Sequence, residues 1–161
     1  PRSGMTVSGS WAVLSSELTG DLVIASGANL RGREAGFSPD LSGNIGVNWE
    51  TAIGNSLMLN INSNLAYKGE YFVGGSSVEP FHPVTNPLGD LVQESFTQLD
   101  LRVSLYMLEE KWQVSLIARN FFDEQYFTFA GPAPFRPATG DDQLVGLGRG
   151  RQIFAELSYN F

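Results

Sequence analysis

The stretch RQIFAELSYNF, residues 151–161, decides the fold of this chain. Its alternate residues are apolar on one side of a period of two, namely Ile153, Ala155, Leu157, Tyr159 and Phe161. The intervening residues are polar, with Phe154 as the apolar exception. Because successive side chains of a strand point to opposite faces, the stretch predicts a strand with one apolar face and one face suited to water.

The same alternation recurs upstream and predicts about six strands in all. The other predicted strands cover residues 6–14, 43–49, 57–73, 99–107 and 112–118. Short turns are predicted at residues 51–55 and at Glu109-Glu110. Long loops rich in Gly, Pro and polar residues are predicted at 18–40, where residues 22–24 could add a short strand, at 74–95 and at 126–150. Long and short connections therefore alternate along the chain.

The composition favours a β protein and excludes several functions. The 161 residues include 18 Gly and 11 Phe, and the formal net charge of -7 argues against a nucleic-acid partner. The chain has no Cys, so it cannot form a disulfide or a zinc–thiolate site. It also contains no apolar run of about 18 residues, the length that a transmembrane helix needs.

Charged residues are absent from the apolar side of every predicted strand. The charges within strands fall on the opposite side or at an end, namely Lys68, Asp100, Arg102, Arg119 and Glu156. A Lys or Arg facing lipid costs roughly 2–4 kcal/mol near the bilayer midplane, so a membrane strand is expected to exclude it. A soluble sandwich also keeps charge off its inner face, so the exclusion alone favours lipid only slightly.

Aromatic residues gather at both ends of the predicted strands. One set lies beside the short turns, namely Trp49, Trp112, Tyr159 and Phe161, and another lies near the long loops, namely Tyr67, Tyr71, Phe122 and Tyr126. Two aromatic levels around an aliphatic band are typical of an outer-membrane barrel. The pattern predicts an all-β, antiparallel transmembrane sheet with short periplasmic turns and long extracellular loops, and a periplasmic carboxy-terminus at Phe161.

Three segments carry a resemblance to a known family. The stretch LIARNFFDEQY at residues 116–126, GRGR at 148–151 and the aromatic final strand resemble the end of TonB-dependent outer-membrane receptors. Those receptors typically finish with an N-L-F-D-x-x-Y-like segment, a Gly/Pro-Arg element and a terminal aromatic strand. The stretch YKGEY at residues 67–71 is similar to the family's antepenultimate hairpin.

The resemblance implies a roughly 22-stranded barrel of a Gram-negative outer membrane, closed by an N-terminal plug. Residues 1–161 are then the carboxy-terminal part of the barrel, and the plug is absent from this chain. The remaining strands and the plug are expected on the same precursor or on another chain, and the TonB energy-transducing system is expected to act through the plug. The implied function is active uptake of a scarce solute, such as a siderophore-type metal chelate or an oligosaccharide.

Site residues follow from the pattern and the resemblance. The resemblance implies an assembly signal, read by the barrel-assembly machinery, in Leu157, Tyr159 and Phe161. Charges expected to face the barrel lumen are Asp100, Arg102, Arg119 and Glu156. Candidate loop contacts to the solute are Phe81, His82, Tyr126, Phe127, Phe129 and Phe135.

No catalytic, cofactor or metal site is predicted. His82 is the single His, and Asp141-Asp142 lacks the spaced ligands of a calcium loop. The glycines at 146, 148 and 150 precede a strand rather than the helix that a phosphate-binding loop requires. Two other hypotheses remain: a passive porin-like or structural outer-membrane barrel, and a soluble β-sandwich binding module.

Overall fold

The computed structural model describes residues 4–21, 23, 29–73, 92–107, 111–132 and 143–160. The strands are β1 (Gly4–Val13), β2 (Leu41–Ile53), β3 (Leu57–Lys68), β4 (Tyr71–Phe72), β5 (Val92–Gln93), β6 (Phe96–Met107), β7 (Trp112–Arg119), β8 (Phe127–Pro132), β9 (Gln143–Leu147) and β10 (Gln152–Tyr159). In this part of the chain no helix is long and apolar enough to cross a membrane.

Six of these strands form one antiparallel sheet in the order β1-β2-β3-β6-β7-β10. Each of the six pairs with the next one along this order without a register shift; Leu65 of β3, for instance, lies between Ile45 of β2 and Leu99 of β6. The all-β class and the six alternating strands predicted from the sequence are confirmed. The apolar side of each strand therefore lies beside the apolar side of its neighbour, and the polar side beside the polar side.

Two of the long connections contain pairing that the sequence did not predict. The third predicted strand was expected to reach Val73, but β3 ends at Lys68, and β4 then pairs with β5. The connection predicted as a loop at residues 126–150 contains the hairpin of β8 and β9. Abundant Gly and Pro signalled irregular chain in both places, whereas the strands inside are too short to show a periodic pattern. In the first long connection, Val23 forms only an isolated bridge with Asn29.

The sheet has an apolar face without a single charged residue. This apolar face consists of Met5, Val7, Gly9, Trp11 and Val13 of β1, Leu41, Gly43, Ile45, Val47, Trp49, Thr51 and Ile53 of β2, Leu57, Leu59, Ile61, Ser63, Leu65 and Tyr67 of β3, Thr97, Leu99, Leu101, Val103, Leu105 and Met107 of β6, Trp112, Val114, Leu116 and Ala118 of β7, and Ile153, Ala155, Leu157 and Tyr159 of β10. The polar face is formed by the alternate residues of the same six strands.

Nothing in the described part of the chain covers the apolar face. Val7, Leu116 and Leu157 are 59%, 56% and 66% exposed, and the only buried hydrophobic residues described are Leu30, Tyr71, Val73 and Phe96. With the usual spacings within and between strands, one face of such a sheet spans roughly 900 Å². A soluble monomer rarely exposes a continuous apolar patch larger than a few hundred Å². The apolar face is therefore a surface that another phase or molecule has to cover.

The small apolar cluster lies instead where the long connections leave the sheet. Tyr71, Val73 and Phe96 form its buried centre, and Tyr126, Phe127 and Ala130 pack around them. The Tyr71 hydroxyl donates a hydrogen bond to the Phe127 carbonyl at 3.2 Å. The cluster thus joins the connection between β3 and β6 to the connection between β7 and β10, and it holds both against the end of the sheet.

The outer strands β1 and β10 are the two edges of the sheet. Each pairs on one side only within the described residues, with β2 and β7 respectively. Four strands lie between β1 and β10 in this antiparallel sheet, so the two edge strands run antiparallel to each other. An exposed apolar edge of this length is a template for a further strand, since its backbone N–H and C=O groups lack a partner strand.

Candidate functional site

The polar face carries an ion pair that spans three strands. Arg102 of β6 reaches over β7 and donates a hydrogen bond to Glu156 of β10. On the way its guanidinium also donates to Ser104 and Ser115, each at 3.3 Å. The two serine hydroxyls lie 2.9 Å apart and are fully buried although they belong to the polar face. Their small size leaves the space in which the Arg102 side chain lies.

Phe154, the apolar exception in the final strand, lies against another cation of this face. The Arg119 guanidinium carbon is 5.8 Å from the centre of the Phe154 ring. Such a contact orients the guanidinium plane and leaves the N–H groups at its edge available as donors. Phe154 therefore lies on the polar face, where its ring contacts Arg119, and it does not belong to the apolar face.

Amide side chains are concentrated on the other half of the polar face. Asn44 of β2 donates to Asn64 of β3 at 3.1 Å, and Asn60 donates to Asn48 at 2.8 Å and to Glu50 at 3.0 Å. These contacts join neighbouring strands by side chains as well as by backbone. The polar face thus carries mainly amides on β1–β3, together with Glu50 and Lys68, and carries the other charges on β6, β7 and β10.

Asn120, directly after β7, is the best-connected polar residue of the described chain. Its side-chain NH2 donates to the Glu124 carbonyl at 2.9 Å and to the Arg149 carbonyl at 3.0 Å, and its oxygen accepts the Glu124 N–H at 2.9 Å. Its backbone N–H donates to the Asp100 carboxylate at 2.9 Å. Its φ of 48° is left-handed, which Asn tolerates better than most residues. Asn120 therefore fixes the turn and ties β6, β7 and the approach to β10 together.

The rest of the NFFDEQY segment, residues 120–126, adds further contacts of this kind, and we call the contacts of the whole segment the clamp. Asp123 accepts the backbone N–H of Arg151 at 2.7 Å, just before β10 begins. The Tyr126 ring stacks on Phe96 with a centroid distance of 4.8 Å. A Cβ at Gly148 would lie only 2.1 Å from the Tyr126 ring, so glycine is required there. The segment that carries the family resemblance thus has a structural role that its own contacts explain.

A cavity of about 230 Å³ opens beside this clamp, and we call it the rim cavity. Its lining is Gln98, Asp100, Arg119, Asn120, Tyr126, Arg149, Gly150 and Gln152. The lining residues of β6, β7 and β10 belong to the polar face. The cavity is therefore lined by two arginines, one aspartate and several amide residues at the end of the sheet where the long connections begin.

The structure brings some of the predicted site residues together. The four charges predicted to share a face, Asp100, Arg102, Arg119 and Glu156, all lie on the polar face, where Arg102 contacts Glu156 and where Asp100 and Arg119 line the rim cavity. Leu157 and Tyr159 lie on the apolar face of β10. Phe161, Phe81, His82, Phe135, Asp141 and Asp142 lie outside the described residues.

The predicted loop contacts divide into packed and exposed side chains. Tyr126 and Phe127 pack against the apolar cluster, whereas Phe129 is 50% exposed. Of the three, Phe129 alone is half exposed and therefore accessible to a solute. Among the described residues, no group of three or more His, Asp or Glu side chains is positioned to hold a metal ion.

The aromatic levels differ in part from the prediction. Trp112 and Tyr159 pair at the short-turn end with ring centroids 4.6 Å apart. At the other end Trp11 lies over Gly43 and approaches Tyr67, with ring centroids 6.5 Å apart. Tyr71 and Tyr126, predicted for this second level, point into the apolar cluster instead. Trp11, which the alternation within residues 6–14 already puts on the same side as Val7 and Val13, lies at this level of the apolar face.

Sequence reasoning missed Asn120 and the buried pair Ser104 and Ser115. The serines alternate correctly with apolar neighbours, but nothing in the sequence indicates that Arg102 covers them. Comparison with protein-family models, with curated proteins and with solved structures yields no match for this chain. Any functional proposal therefore rests on the pattern and contacts of the chain itself.

Proposed function

We propose that this chain forms part of the wall of an outer-membrane β-barrel, in a receptor of the TonB-dependent class that takes up a scarce solute. The observation that carries the proposal is the uncovered apolar face, which continues across all six strands without a charge. Strands of 8–13 residues suit a membrane crossing, which takes about 9–11 tilted residues. Lipid is the partner that such a face fits best.

The two edges and the polar face support a wall that continues into further strands. β1 and β10 run antiparallel, so additional antiparallel strands can extend both edges until a barrel closes. The charged and amide side chains of the polar face then meet water in the lumen. The solute-uptake part of the proposal comes from the resemblance of the NFFDEQY segment and final strand to such receptors.

The three tryptophans of the chain provide a direct test of the lipid contact. Trp11, Trp49 and Trp112 all lie on the apolar face: Trp11 and Trp112 lie near its two ends, and Trp49 lies further in, in the same cross-strand row as Ile61 and Val103. In vesicles of lipids brominated along the acyl chain, fluorescence of the variants that retain only Trp11 or only Trp112 should be quenched most strongly by bromines near the headgroups. Aqueous acrylamide should quench them weakly. Strong acrylamide quenching without bromolipid quenching would refute the membrane wall.

A second measurement separates a receptor from a passive barrel. The full precursor is expressed in a Gram-negative host, and solute uptake is compared with and without a protonophore. A receptor of the proposed class needs the energised inner membrane, so uptake should stop when the gradient collapses. Uptake that continues unchanged would favour a passive porin-like barrel.

A further inference from the structure

We propose that the rim cavity binds a small dissolved anion, such as the carboxylate or phosphate group of a solute, through Arg119 and Arg149. Any role of this ligand in transport rests on the proposed function, whereas the proposal that the rim cavity binds an anion does not. The side chains that carry this inference come from three strands and from the approach to β10, so the fold is required to bring them together.

Within the described residues, the two arginines of the cavity have no carboxylate partner. Neither Arg119 nor Arg149 forms an ion pair with any described residue, unlike Arg102 with Glu156 and Arg31 with Asp21. Two arginines and one aspartate give the lining a formal charge of +1, in a chain whose net charge is -7. The cavity is therefore a positive site on a negative protein.

The groups of the cavity are also held in position before any ligand arrives. The Phe154 ring orients Arg119, and the Asn120 side chain holds the Arg149 carbonyl. The Arg119 guanidinium, whose plane is oriented in this way, loses less entropy when it donates two hydrogen bonds to a carboxylate or phosphate. Gln98 and Gln152 add further donors and acceptors at the cavity wall.

Cavity size and position limit the kind of ligand. A volume of about 230 Å³ is below the range typical of drug-sized ligands, so it suits one charged group or a small acid. The strand residues of its lining belong to the polar face, away from the apolar face. A dissolved anion is consequently the partner that the site fits, and not a lipid headgroup.

The test is calorimetric titration of the full chain in detergent micelles, with citrate as the anionic probe and glucose as the neutral one. Citrate should bind and glucose should not, and raised salt should weaken citrate binding because it screens exposed charges. Arg149→Gln should weaken citrate binding at least about tenfold, since a charge-assisted bidentate contact is lost, whereas Arg149→Lys should cause a smaller loss. Arg31→Gln, which removes an arginine elsewhere, is the matched control and should leave binding unchanged.

Substitution of Asp100 is expected to change the affinity for citrate in the opposite direction. Asp100→Asn keeps an oxygen that can accept the Asn120 N–H but removes the one negative charge of the cavity, so citrate should bind several-fold more tightly. Unchanged citrate binding in Arg149→Gln with a wild-type β-sheet circular dichroism spectrum, or glucose binding as tight as citrate binding, would overturn the inference. The tryptophan quenching experiment is independent, so failure of the anion site and failure of the membrane wall give different results.

Discussion

Arg102 and Glu156 form an ion pair across the whole width of strand β7. The Arg102 side chain crosses directly above Ser115, which pairs with Glu156 in the sheet, and it contacts that hydroxyl on the way. Both partners of the ion pair remain partly exposed, at 38% and 45% of the side-chain surface, whereas Ser115 is only 1% exposed. The position of Ser115 beneath the ion pair is therefore much less accessible to solvent than the two charged side chains are.

This difference predicts unequal effects of two neighbouring substitutions. Glu156→Gln should lower the free energy of unfolding by less than about 1 kcal/mol, because water screens an exposed pair. Ser115→Leu should lower it by about 1–3 kcal/mol, because a larger side chain has no room and the buried Ser104 hydroxyl loses one of its two hydrogen-bond partners. Urea unfolding in detergent, followed by circular dichroism, measures both. A larger loss in Glu156→Gln would contradict this account of the polar face.

Asn120 is predicted to be the most sensitive polar position near the rim cavity. Asn120→Ala removes the partners of the Glu124 and Arg149 carbonyls and puts alanine in a left-handed conformation. The expected loss is about 2–4 kcal/mol in the free energy of unfolding. Asn62→Ala is the matched control, because Asn62 is exposed on the polar face, and it should change stability by less than about 0.5 kcal/mol. Equal effects of the two substitutions would show that the clamp does not hold the strands together.

Alkaline pH should loosen the apolar cluster through Tyr71. Burial, with a smaller contribution from Tyr126, raises the pKa of Tyr71 above its ordinary value of 10.0. The folded state therefore holds the phenol proton more tightly than the unfolded state does. Its contribution to stability is complete below pH 10 and is lost as the pH rises through the higher pKa of the folded state.

Comparison with Tyr71→Phe isolates this effect. The variant loses the hydrogen bond to the Phe127 carbonyl, so it should be less stable than the wild type at pH 8. Between pH 10 and pH 11.5 the wild type should lose stability faster, and the difference between the two proteins should shrink. Unfolding midpoints measured at each pH provide the check. A constant difference over this range would mean that Tyr71 does not titrate with unfolding.

The alternation of residues in the sequence predicted the main sheet, because each strand's pattern depends only on its own residues. The packing of side chains across strands could not be obtained in this way. Ser104 shows the difference: its position in the alternation assigns it to the polar face, yet Arg102 covers it completely. Tyr71 and Tyr126 turned inward for a similar reason, since they pack on a residue of another element, Phe96. The rim cavity likewise depends on residues of three strands that only the fold brings together.

These packing details decide how the two faces of the sheet should be compared. Substitution of Leu105 and Ser104 by Arg would compare neighbouring positions, but Ser104 is buried, so Ser104→Arg would fail for reasons unrelated to lipid. Val103 and Asn62 form the better pair: Val103 is 40% exposed on the apolar face, and Asn62 is exposed on the polar face of the adjacent strand. Both side chains have room for a longer residue.

Val103→Arg should therefore impair incorporation into lipid vesicles, because a cation facing the bilayer interior costs about 2–4 kcal/mol. Asn62→Arg should incorporate like the wild type, since its side chain faces water on the other side of the sheet. Flotation of the vesicles with bound protein measures the incorporated fraction of each variant. Equal incorporation of both variants would mean that lipid does not cover the apolar face, and a protein partner would then be required to cover it.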